Sequence, residues 1–205
     1  MTLPAGSAPV FPVGYAMGPL HVPGAPGPAP SVVRLGRDDV ALHGAEATVW
    51  ALAHGGAPNA AALDAATLVR SAEQLRVPEA GQVVARLVER GLLVAVPAAD
   101  PVSVARRYRL RSLLVGLGSL PGFPGERALG LPAQPRLRLS AAAAQRWTWW
   151  PVLPTLLDAA TAQVTLDTSD AQPTDLAVTA ELRHFFGGVL PALLGQHCAF
   201  LDRAH

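Results

Sequence analysis

The sequence predicts an α+β chain, and three observations predict it. A hairpin pattern appears after residue 30, three helical periodicities follow between residues 45 and 91, and two strand-like runs precede a mainly helical C-terminal stretch. With 205 residues, half of them hydrophobic, the chain is long enough for one full domain and a smaller lobe. Only 15% of residues are charged, yet Gly, Pro or Arg interrupts every apolar run before the ~18–20 residues of a bilayer span.

Residues 1–30 read as an N-terminal arm, because eight prolines and five glycines oppose helix and central strand alike. Within the arm Phe11, Tyr15 and Met17 are apolar anchors suited to a groove on this or another chain; a disordered tail is the alternative. Residues 31–118 form the main predicted domain. Val32, Val33 and Leu35, then a Gly36-Arg37-Asp38-Asp39 turn, then Val40 to Leu42 give the hairpin. The first helix runs from Ala45 to Ala53 and stops at Gly55-Gly56. A second begins near Asn59 or Asp64 and ends at Val77-Pro78. The third opens at Pro78, turns Val83, Val84, Leu87 and Val88 inward, and ends at Gly91. Leu92 to Val96 and Arg106 to Val115 read as strands joined through a loop at Pro97 to Pro101.

Residues 119–139 form a Gly/Pro-rich connector with one short strand, Arg136 to Leu139. Residues 140–205 form a helical lobe. Ser140 caps a helix through Trp150, Leu156 to Ala162 makes another, and 165–174 is a polar loop. Asp175 to Phe186 and Leu190 to Leu201 complete the lobe as two helical pieces.

A three-helix unit ending in Leu87-Val88-Glu89-Arg90-Gly91-Leu92-Leu93-Val94 and leading into two strands resembles winged helix-turn-helix proteins over residues 45–115. That resemblance implies a recognition helix running into the first strand of a wing. The hairpin followed by Leu42-His43-Gly44-Ala45-Glu46-Ala47-Thr48-Val49-Trp50 is also similar to peptide-binding winged-helix modules of the pyrroloquinoline-quinone peptide chaperone type. This second resemblance implies a module that holds a peptide for another protein.

Composition narrows the function. All sixteen basic residues are Arg, against fifteen acids, so no global field draws the chain to nucleic acid or an anionic membrane. Residues 31–118 hold ten Arg and eight acids, weak for a DNA reader. The single cysteine, Cys198, offers neither a disulfide framework nor a zinc site, and prolines interrupt any secretory apolar core near the N-terminus. A cytoplasmic protein is expected. No phosphate-cradling glycine motif, nucleophile elbow or paired metal-binding histidines occur, so a non-enzymatic protein with neither cofactor nor metal is expected. His54 falls at a helix C-terminus, where partial protonation would suit the dipole, and Cys198 beside His197 reads as a core thiol next to a boundary histidine.

Two sets of residues can bind a partner. Phe11, Tyr15, Trp147, Trp149 and Trp150 suit a protein or peptide, with core packing the alternative for the tryptophans. Gln82, Arg86 and Arg90 on the third helix, with Arg107, Arg109 and Arg111 alternating along a strand, suit DNA; a solvated strand face is the alternative for the latter three. The leading expectation is an adaptor for a protein or peptide partner. The second is a DNA-binding regulator, dimeric through the C-terminal helices.

Overall fold

The computed structural model describes residues 8–21, 28–55, 62–120, 122–131, 134–169 and 172–204. Its first strand corrects the reading of the N-terminal arm. Val10–Pro12 is a strand, β1, buried along its whole length, and Tyr15–Pro19 is a second, β2. Prolines fit here because the backbone donors that matter belong to their neighbours: Val10 donates to the Leu63 carbonyl at 2.7 Å and Val13 to Leu92 at 2.9 Å. Gly14 turns the chain between the two strands at a φ of +100°. A Cβ there would lie 2.5 Å from a Val33 methyl and 2.8 Å from the Arg34 carbonyl oxygen, so both backbone angle and space demand glycine.

The hairpin forms as expected, as β3 (Ser31–Leu35) and β4 (Asp38–Leu42), and β2 adds to its other side to give the sheet order β2-β3-β4. Gly36, with a φ of +64°, occupies the first position of the two-residue loop, the place where tight hairpins want a left-handed residue. Three helices follow: α1 (Gly44–Leu52), α2 (Ala65–Gln74) and α3 (Ala80–Glu89). Asp64, one of the two expected starts, caps α2 by accepting from Thr67 N–H at 2.7 Å; the other, Asn59, lies outside the described residues. Helix α3 starts two residues after Pro78, because Glu79 adopts a left-handed φ of +51°.

The two strands expected to pair as a wing do not pair with each other. Leu93–Ala95, β5, pairs antiparallel with β1. Tyr108–Ser112, β6, pairs antiparallel with a C-terminal strand, β10 (Ala199–Arg203). Val13 bridges to Leu201, and Gly14 N–H donates to the Leu201 carbonyl at 2.7 Å, so β1 and β10 lie between β5 and β6. Both chain ends thus occupy positions that a local hairpin would fill. The loop tip forms as expected at residues 97–100, and a short helix that was not expected, α4 (Pro101–Ala105), capped by Asp100, follows it before β6.

The connector also differs from expectation. Val115–Leu120, Phe123–Leu131 and Gln134–Ser140 form a three-stranded antiparallel meander, β7-β8-β9. The expected strand Arg136 to Leu139 lies within β9. Ser140 caps α5 (Ala141–Trp149), and a 3₁₀ turn at Trp150–Val152 leads to α6 (Leu156–Thr168), which runs into the stretch read as a polar loop. Helix α7 (Asp175–His184) passes through a π-helical turn, Phe185–Val189, into α8 (Leu190–Gly195). The last helical piece therefore stops well before Leu201. Left-handed His197, φ +50°, ends it, with Cys198 N–H reaching back to the Leu193 carbonyl at 2.8 Å.

One continuous apolar cluster runs from Val10 and Phe11 through the three helices to Trp150, Phe185 and Leu201. The helical lobe shares this core with the hairpin domain. Arg146 of α5 joins that core to α7, its guanidinium donating to the Glu181 carboxylate at 2.8 Å with both side chains nearly buried.

Candidate functional site

Strand β4 is the open edge of its sheet, since no described strand pairs with its outer side. The two-residue loop makes Leu35 and Asp38 the closing pair, so backbone bonding to β3 falls on Asp38, Val40 and Leu42. Asp39 and Ala41 then present their N–H and C=O outward. One of these groups has found a partner: Arg90, just past the end of α3, reaches the Ala41 carbonyl at 3.4 Å. Its other nitrogen donates to Glu46 at 2.7 Å, and Arg86 sits 4.0 Å from the same carboxylate.

Local sequence explains each placement. Glu46 lies in the first turn of α1, where a carboxylate suits the unpaired N–H groups, and Arg90 follows the last turn of α3, where a cation suits the carbonyls. Gln82, Arg86 and Arg90 recur every four residues and share one helix face. Gln82 is exposed, and Arg86 keeps 48% of its side chain in solvent. A strand edge with free backbone groups is therefore joined to a polar helix face through Arg90, which Glu46 holds in place.

The other arginines do not extend this row. Arg109 and Arg111 leave the sheet on one side, but Arg109 is tied to Asp202 at 3.1 Å, and Asp202 also accepts from Gly36 N–H at 2.8 Å. Arg107, before the start of β6, lies toward the opposite face, its Cζ 5.8 Å from the Tyr108 ring centroid and its Nε donating to the Ser103 carbonyl. Arg111 is exposed, with no ion pair among the described residues.

No family model, curated protein or solved structure matches this chain.

Phe11, Trp147 and Trp150 are core residues rather than partner contacts, exposed by 2%, 7% and 1%. Phe11 faces Phe186, and Trp150 lies 4.0 Å from Phe185 between ring centroids. Trp149 is exposed beside Val152, and Tyr15 is partly exposed while resting on Phe200. Along the C-terminal helical pieces, the apolar side chains of Leu182, Phe185, Val189, Leu193 and Leu194 are buried within the chain.

His54 is neutral rather than partly protonated. Burial, then the neighbouring His197 ring, lower its pKa to about 4, while its Nδ1 lies 3.1 Å from the Trp50 carbonyl. The Cys198 thiol is buried, which pushes its pKa up to about 11 and makes it a poor nucleophile. Among the described residues no group of three or more metal-ligating side chains converges.

Sequence reasoning missed Glu46 and Asp202 as organising acids. Glu46 had a visible signal, an acid two residues into a helix that follows a strand; Asp202 had none, because its partners lie far away in sequence.

Proposed function

We propose that the protein is a non-enzymatic adaptor that takes an extended peptide segment of a partner protein along the outer edge of β4, beside α3. The observation that carries this reading is the outward-facing backbone of Asp39 and Ala41 on an unpaired strand, with the Ala41 carbonyl contacted only by Arg90 among the described residues. A peptide strand supplies the complementary N–H and C=O groups, which is how sheet edges recognise extended chains. Arg86, half in solvent, shares the one Glu46 carboxylate with Arg90, so two cations face a single acid beside the edge and favour a segment with an acidic residue. The hairpin leading into three helices, which carries the resemblance to peptide-binding winged-helix modules, is consistent with this role. In that view the terminal strands β1 and β10 take the wing's place.

Ala41→Pro tests the reading directly. It removes an outward N–H while leaving the bonds to β3, so peptide binding falls at least tenfold with little change in folding. Retained binding in a folded Ala41→Pro chain would exclude the edge as the docking site.

The second reading, a DNA-binding regulator, is favoured by the Gln82–Arg86–Arg90 face. It is weakened by Glu46, which offsets one of the two positive charges on that face, and by Asp202, which holds Arg109.

A further inference from the structure

Between the end of α3, the start of β6 and the end of β10 the molecule carries a cleft of about 580 Å³, within the size range of small-molecule sites. Arg106, Arg107 and Arg203 line it, together with Tyr108, Thr155 and, among the described residues, one acid, Glu89. Three arginines from two distant stretches of sequence line it, and none of them forms an ion pair among the described residues.

The arrangement is held by backbone contacts. Arg203 is the direct cross-strand neighbour of Tyr108, so the two side chains leave the sheet on the same face. Arg203 donates to the Arg90 carbonyl at 3.2 Å, and Arg107 Nε donates to the Ser103 carbonyl at 3.2 Å. Each contact fixes one edge of a guanidinium and leaves other N–H groups free. Tyr108 is only 8% exposed, and its hydroxyl has no hydrogen-bond partner among the described residues. Thr155 is already committed, donating to Asp158 at 2.7 Å and accepting from the Asp158 N–H, so it contributes a wall rather than a donor.

Among the described residues three cations and one acid line this cleft, a local surplus of positive charge that favours an anion. A carboxylate offers two oxygens and matches one guanidinium; a phosphate monoester offers three terminal oxygens and nearly two charges, which suits three guanidiniums and a phenol. We propose that the cleft binds the phosphate group of a small phosphomonoester, with Arg106, Arg107 and Arg203 as its cationic donors and the Tyr108 hydroxyl as a neutral one. The site is independent of the peptide reading, since it uses neither Asp39 nor Ala41.

The test is calorimetric titration of the full chain with phenyl phosphate, inorganic phosphate and benzoate, with backbone amide shifts recorded in parallel. Phenyl phosphate binds more tightly than benzoate, inorganic phosphate also binds, and the amides of Tyr108 and Arg203 shift. Arg107→Gln and Arg106→Gln, both at exposed positions, each weaken phenyl phosphate at least tenfold; Tyr108→Phe weakens it severalfold; Glu89→Gln tightens it by removing a repelling charge. Ala41→Pro leaves it unchanged. Equal affinity for benzoate, unchanged binding in Arg106→Gln and Arg107→Gln, or no binding by the wild-type chain at millimolar ligand would each overturn the proposal.

Discussion

Single residues carry the clearest chemical consequences of this fold. His54 is packed against Trp50 and His197, its ring centroids 4.5 and 5.2 Å from theirs, and burial is the main reason its pKa falls to about 4. The unfolded chain takes that proton near pH 6.5, whereas the folded chain resists it until about pH 4. Stability is therefore full above about pH 6.5 and declines as the pH falls toward 4, by on the order of 2–3 kcal/mol from this group. Thermal unfolding at pH 7 and pH 5 checks it: the wild type loses stability at the lower pH, and His54→Gln loses less. Little in the sequence announced this. A histidine before Gly55 suggested a charged cap, and only the approach of His197, from beyond α8, makes the site a buried one.

Elements were legible where their signals were local. The hairpin, the three helices and the Ser140 cap follow from alternation, periodicity and capping chemistry written within a few residues. Strand β1 was hidden because proline counts outweighed Val10 and Phe11, and the meander because glycines and prolines punctuate it at Gly118, Gly122 and Gly125, all with positive φ. The wing failed for a different reason. Its strands were correctly recognised as strands, but which strand pairs with which depends on chain ends nearly a hundred residues away from β5 and β6. At this scale the Arg146–Glu181 pair makes a firm prediction. Glu181→Ala leaves a guanidinium whose side chain is 8% exposed without its main partner, so it costs about 3 kcal/mol in chemical denaturation. A loss below about 1 kcal/mol would mean that Asp167, 3.9 Å from Arg146, takes over the role.

The molecule as a whole is organised by β1 and β10, which the Val13–Leu201 bridge joins and which share a core with every helix. Phe11→Ala and Leu201→Ala each remove a fully buried side chain at opposite ends of the sequence, so both lower the same single unfolding transition, by about 3–5 and 2–5 kcal/mol. Two separable transitions would contradict a shared core. The charge layout predicts weak, sequence-independent affinity for duplex DNA with a shallow salt slope, because Glu46 and Asp202 already hold three of the six arginine and glutamine side chains a DNA reader would use. A steep slope in a duplex titration would restore the regulator reading. The most direct test of the peptide-docking account is selection of a displayed random-peptide library on the full chain, followed by titration of the selected peptides into wild type and Ala41→Pro. The account predicts extended, acid-containing peptides that shift the Asp39 and Ala41 amides and bind the folded variant at least tenfold more weakly. Failure to select any peptide, or equal affinity for both chains, would contradict it.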